Sequence, residues 1–166
     1  LGLKALRLGL DPADSEQISE MLATTDLEVK LHPEGQRTIV DGTDLTSAIR
    51  TPEVSLAASA ISALPCCRHY CVAKQRDLAS QESLVLDGRD IGTFVLPDAR
   101  LKFFLTATAE VRAERRYKEL SEAGADVEYE DVLAEMKQRD HNDSSRSLAP
   151  TKQAEEAILI DTSDKS

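Results

Sequence analysis

The chain has 166 residues, about one ordinary domain, of which 41% are hydrophobic and 30% charged, enough to bury a core. Lys and Arg number 20 against 30 Asp and Glu, giving a formal net charge of -10. That balance argues against a polymeric nucleic-acid partner, which needs many cations against phosphates, but leaves room for one small anion held by a local arginine cluster. No apolar run approaches the roughly 20 residues that span a bilayer, and no basic-then-apolar leader is visible, so a cytoplasmic protein without a membrane role is expected.

In chain order, "LKALRLGL" reads as an apolar helix stopped near Gly9. The Asp-Pro turn of "DPADSEQISEMLATT" precedes a helix carrying Ile18, Met21 and Leu22, with Ser15 as its expected cap. "LEVKLHPEGQRTIVDGTDL" alternates apolar and polar residues around "PEG", as a hairpin does. Thr51, Pro52 and Glu53 form a helix start, with a stop expected near Leu64 and a second helix from Pro65 to about Leu78. A strand "SLVLD", the loop "GRDIGT" and a strand "LKFFLTA" follow. Thr108 caps a long helix broken by Gly124; "EYEDVLAEMKQRD" is a further amphipathic helix, and "AILID" a last buried strand. Continuous apolar strands alternating with helices predict a parallel α/β sheet.

The three cysteines, Cys66, Cys67 and Cys71, all lie in "CCRHYC" and form no disulfide framework. On a helix Cys67 and Cys71 share a face while His69 points elsewhere. A soft-metal site competes there with plain buried thiols in a reducing compartment, and no four-ligand tetrahedral set is visible.

Two clusters point to bound anions. "DGRD" lies at the carboxyl end of an expected strand, where open parallel sheets bind ligands. Arg89 offers a planar fork for phosphate and Asp90 an acceptor for an amine, against the plainer reading of an Asp-Gly turn with a surface ion pair. In "RDHNDSSR", Arg139, Asp143 and Arg146 share one face if the helix continues, against the plainer reading of a solvated charged face. Ser59 and Arg68 sit in Ala-rich helices, where small residues permit close approach, although helix packing alone explains them.

These stretches resemble bacterial cytidylate kinase. The resemblance rests on "LVLDGRDIGTFVLPDARLKFFLTATAEVRAERRYKEL", "RDHNDSSRSLAP" and "AILIDTS", with "TDLTSAIRTPEVSLAASAISALP" similar to the family's nucleoside-monophosphate-binding insert. It implies a P-loop NTPase-like parallel α/β sheet flanked by helices, with a small insert at about 25–64 containing a β-hairpin and a short lid near 107–124, all in one incomplete kinase domain. It also implies transfer of the γ-phosphoryl of ATP to CMP or dCMP with Mg2+, by a monomer acting on small-molecule substrates. Carried over residue by residue, Ser59, Arg68 and Asp90 would read cytosine. Arg89 and Arg139 would hold the CMP phosphate with Arg146 close by, and Asp143 would accept from the ribose hydroxyls. Arg115 and Arg116 would face the ATP phosphates, and Asp87 would hold magnesium through water. Arg89, Asp90, Arg139 and Asp143 are expected in one shared cleft.

The sequence departs from the family pattern in holding no G-x-x-x-x-G-K-[ST] motif, whose backbone amides, Lys and Ser/Thr cradle ATP phosphates and magnesium. The expectation is a chain shortened at both ends and inactive alone. The alternatives are a pyrimidine-nucleotide binder without catalysis, and a related monophosphate kinase preferring UMP or AMP. "APTKQ" also stands where the family usually has "APLKP".

Overall fold

A computed structural model describes residues 1–165, which divide into two compact units, the first Leu1–Leu84 and the second from Val85 onward.

The first unit is built from four helices and a small antiparallel sheet. Helix α1 (Gly2–Arg7) ends before Gly9, which takes φ +66, as the sequence predicts. Helix α2 (Ser15–Ala23) is capped by Asp14 and not by Ser15: the Asp14 carboxylate accepts from the amides of Glu16 and Gln17. A carboxylate one residue earlier reaches the orphan amides of the first turn and also meets the positive end of the helix dipole. Strands β1 (Leu27–His32) and β2 (Gly35–Val40) form the predicted hairpin, with Leu27 opposite Val40 and His32 opposite Gly35. A second, tighter hairpin joins β2 to β3 (Thr43–Asp44). Its two turn residues, Asp41 and Gly42, both take positive φ, which an Asp-Gly pair tolerates well.

Helix α3 (Pro52–Ser62) starts as expected, with the Thr51 hydroxyl accepting from the Val54 amide. Helix α4 (Pro65–Gln81) begins at its proline and runs one turn past the expected end. Ala5, Ile18, Met21, Leu22, Ile61 and Cys67 form the core cluster of this unit. Ile18 and Ile61 are fully buried, each worth about 1.5–3 kcal/mol of apolar transfer. Helix α1 lies close on α3: a Cβ on Gly2 would fall 2.8 Å from the Ala58 amide nitrogen, so no larger residue fits there without moving backbone.

The second unit departs from the sequence reading at its start. Residues 83–87, expected as a strand, take no regular secondary structure and have no ladder partner among the described residues, and Val85 is 97% exposed. An apolar run becomes a strand only when another edge lies alongside it. Then follows one wide turn, Ile91–Val95, in which the Val95 amide donates to the Asp90 carbonyl and the Leu96 amide to that of Ile91. Strand β4 (Phe103–Thr106) pairs in parallel with β5 (Ile158–Asp161), in register from Phe103–Ile158 to Thr106–Asp161. Between them run α5 (Ala109–Glu122), capped by Thr108, and α6 (Tyr129–Ser145). The two helices pack together, with Tyr117 edge-on to Tyr129 at 6.2 Å.

The arrangement is a mixed α/β fold with a parallel strand pair and flanking helices, as expected. Strand β5, expected to be buried, instead exposes Ile158 and Leu159, and β4 exposes Phe103 and Leu105. Lys102 is buried beside this sheet, its ammonium donating to the Pro97 carbonyl and the Glu156 carboxylate. No helix among the described residues is long and apolar enough to cross a membrane.

Candidate functional site

Three segments of the second unit place opposed charges at the carboxyl end of β4. The turn after residue 87 presents Arg89; the first turns of α5 present Arg112; the last turns of α6 present Asp140 and Asp143. With Phe104, Leu105, Thr106, Ala107 and Thr151 they line an open cleft of about 310 Å³. Its position obeys the rule that ligands sit beyond strand carboxyl ends.

The charges alternate along a chain. Arg112 grips Asp140 with both guanidinium nitrogens, at 3.0 and 2.5 Å, while its Nε donates to the Ala107 carbonyl. Asp140 also faces Arg89, Nη1 to Oδ1, at 3.7 Å. Arg89 Nε lies 3.6 Å from Asp143 Oδ2, and Arg146 Nη2 lies 2.7 Å from Asp143 Oδ1. The Asp143 side chain is only 6% exposed, so its charge is held between two guanidinium groups away from bulk water. The Arg112 guanidinium holds the Asp140 carboxyl below its ordinary range, against a smaller opposing push from burial. In return, Asp140 raises Arg112.

Asp90 follows Arg89 and is buried, and its backbone carbonyl anchors the wide turn by accepting from the amides of Thr93, Phe94 and Val95. Such single wide turns recur at functional sites. Asp87 is exposed just before the turn that carries Arg89. Helix α6 does continue through Ser145, as the spacing argument required, and Arg146 closes it.

Of the residues singled out in the sequence, the second unit brings Arg89, Asp143 and Arg146 into contact. Arg139 is exposed on α6, close enough to Asp140 to help lower its carboxyl. Arg115 lines the cleft but donates to the backbone carbonyls of Thr162 and Lys165. Arg116 pairs with Glu119 at 2.8 Å on the exposed face of α5. In the first unit, Ser59 is exposed on α3 and Arg68 half-buried on α4.

Sequence reasoning missed Arg112, Asp140 and Thr151. Asp140 was legible as a carboxylate three residues before Asp143, on the same helix face. Its pairing with Arg112, 28 residues away, follows from packing alone. Thr151 donates its amide to the Asp143 carbonyl at 2.9 Å, and its buried Oγ1 has no partner. Among the described residues, no group of three or more His, Cys, Asp and Glu is placed to hold a metal ion.

The model of the cytidylate kinase family matches residues 1–166. The chain belongs to the cytidylate kinase family. It is 49% identical to the cytidylate kinase of Caldicellulosiruptor saccharolyticus over 98% of this chain and 72% of that protein. It is 45% identical to that of Mycobacterium avium, over the same shares, and 44% identical to that of Bacillus subtilis, over 95% of this chain and 70% of that protein. The cytidylate kinase family is one of nucleoside monophosphate kinases, whose chemistry is ATP-dependent phosphoryl transfer.

Proposed function

We propose that this chain carries the monophosphate-binding part of a kinase that transfers the γ-phosphoryl of ATP to CMP or dCMP, giving CDP or dCDP. The observation that carries the reading is the buried Asp143 set between Arg89 and Arg146, which offers cations for a phosphate and an acceptor for sugar hydroxyls.

Phosphoryl transfer needs no covalent intermediate with the protein. It needs the attacking phosphate oxygen held in line and cations around the spreading negative charge. Arg89 holds the CMP phosphate, with Arg139 and Arg146 reducing its repulsion from ATP. Asp143 accepts from the ribose hydroxyls. Asp90 accepts from the cytosine N4 amine, and a carboxylate there repels the keto oxygen of uracil. Ser59 and Arg68 contact the base. Arg115 and Arg116 lie toward the ATP phosphates, and the region 107–124 acts as the lid, with 25–64 as the monophosphate-binding insert.

Magnesium suits this donor set in one respect: Asp87 is a single exposed carboxylate, and Mg2+ in nucleotide sites takes one or two carboxylates plus phosphates and water. When bound, the ion would neutralise charge on the ATP phosphates. The protein works as a cytoplasmic monomer on small nucleotides; its charge of -10 disfavours polymeric nucleic acid.

The test is a phosphorylation assay on the product of the complete reading frame, with ATP, Mg2+ and a panel of monophosphates. CDP and ADP should form in equal amounts, with UMP and AMP used at about a tenth of the rate or less. Equal use of UMP, or ADP formation independent of CMP, would overturn the reading.

A further inference from the structure

Cys67 and Cys71 lie one turn apart on α4, and nothing in the phosphoryl-transfer chemistry uses them. Cys67 is 3% exposed within the core cluster of the first unit; Cys71 is partly exposed at its edge. Cys66 is turned away toward α2, its sulfur 3.9 Å from the Ser15 hydroxyl and carbonyl. Residues four apart on a helix have Cα atoms about 6.2 Å apart, inside the 4.4–6.8 Å that disulfides span.

We propose that Cys71, backed by Cys67, is a peroxide-reactive modification site: a sulfenic acid forms on Cys71 and Cys67 closes on it to give an intrahelical disulfide. One turn apart on the helix, the two thiols act on each other's protonation in opposite directions. The neighbouring Cys67 thiol lowers Cys71 to about 7 against an opposing push from burial, while Cys67 is pushed up by Cys71 and by burial. A thiol poised near ambient pH, partly exposed and beside a second sulfur, combines the features that make a cysteine redox-sensitive.

In the first step the Cys71 thiolate attacks one peroxide oxygen, the O–O bond breaks, and hydroxide leaves; the sulfur is oxidised as the peroxide is reduced. In the second, the Cys67 sulfur attacks Cys71, an S–S bond forms, and the sulfenic hydroxyl departs as water with the Cys67 proton. Two thiols and one hydrogen peroxide thus become one disulfide and two waters. The helical Cβ separation of about 5–6 Å exceeds the 3.5–4.5 Å of a disulfide, so closing the bond tightens this turn of α4. Arg68 sits on that turn between the two cysteines. Oxidation therefore also displaces Arg68 and weakens nucleotide binding, a consequence that rests on the base-reading role proposed above.

The test treats the full chain with a small excess of hydrogen peroxide and reads intact mass and a peptide map. Expected is the loss of two hydrogens, mapped to Cys67–Cys71 and reversed by dithiothreitol. C66S should keep the bond; C67S or C67A should stop at a Cys71 sulfenic acid trapped by dimedone; C71S should yield neither. Iodoacetamide at pH 7 should label Cys71 about tenfold faster than an ordinary thiol. Three intact thiols, a disulfide mapped elsewhere or between chains, or fastest labelling at Cys66 would each overturn the proposal. These readouts do not involve nucleotide. A disulfide that forms with CMP affinity unchanged would remove Arg68 from the site and leave the thiol chemistry standing.

Discussion

Arg89 lies between Asp140 and Asp143, 3.7 Å from one carboxylate and 3.6 Å from the other. Neither contact is a close hydrogen bond, so the guanidinium is steered without being saturated. Asp140 is itself clamped by Arg112. On the proposed function, a phosphate entering the cleft would meet an arginine already aimed by two carboxylates.

Removing that aim should weaken phosphate binding without abolishing it. Asp140→Asn keeps the shape but loses the charge that attracts Arg89 and Arg112. Because these pairs are partly exposed, the effect expected is about 0.5–1 kcal/mol, a two- to fivefold loss of CMP affinity by calorimetry. An unchanged affinity would mean that Arg89 is positioned by Asp143 alone.

Thr151 carries a buried hydroxyl with no partner. An unsatisfied buried polar atom costs about 1–3 kcal/mol, and an isosteric apolar replacement removes that penalty. Thr151→Val should therefore stabilise the ligand-free chain by about 1 kcal/mol in urea unfolding. A destabilised variant would show that the hydroxyl is solvated.

Acid should unfold the chain through its paired carboxylates. Arg112 lowers Asp140, Lys4 lowers Asp41 and Lys137 lowers Glu110. A carboxyl whose folded value lies below its unfolded one adds stability above the unfolded value, and that stability is lost as pH falls through the folded value. The unfolded values are about 3.9 for Asp and 4.3 for Glu, so the melting temperature should be level from pH 7 to about 5 and fall below about 4. The Asp140 share is separable: Asp140→Asn should shallow the fall.

Base selectivity should depend on Asp90. Asp90→Ala is expected to weaken CMP binding by about 1–3 kcal/mol while affecting UMP far less. Parallel losses for both nucleotides would remove Asp90 from base discrimination.

Much of this was legible in the sequence because the signals were local. Thr51-Pro52-Glu53, Thr108, Gly9 and Gly124 mark helix ends by backbone chemistry that needs no distant partner. The spacing of Arg139, Asp143 and Arg146 placed them on one helix, and two of the three meet. Most of what failed was non-local, the cap of α2 being the local exception. Residues 83–87 have the composition of a strand, yet a strand exists only with a neighbour. Asp14 outcompeted Ser15 as a cap because carboxylate geometry and charge both favoured it. Arg112 looked like one more cation on an exposed helix until α6 packed beside α5 and brought Asp140 to it.

The nucleotide pocket is tested most directly by calorimetric titration of the chain and its Arg89→Ala variant with CMP and UMP at one fixed salt concentration. CMP is expected to bind at least about tenfold more tightly than UMP, and Arg89→Ala to remove about tenfold or more of the CMP affinity. Equal affinity for the two nucleotides, or CMP binding indifferent to the loss of Arg89, would contradict the assignment of this pocket.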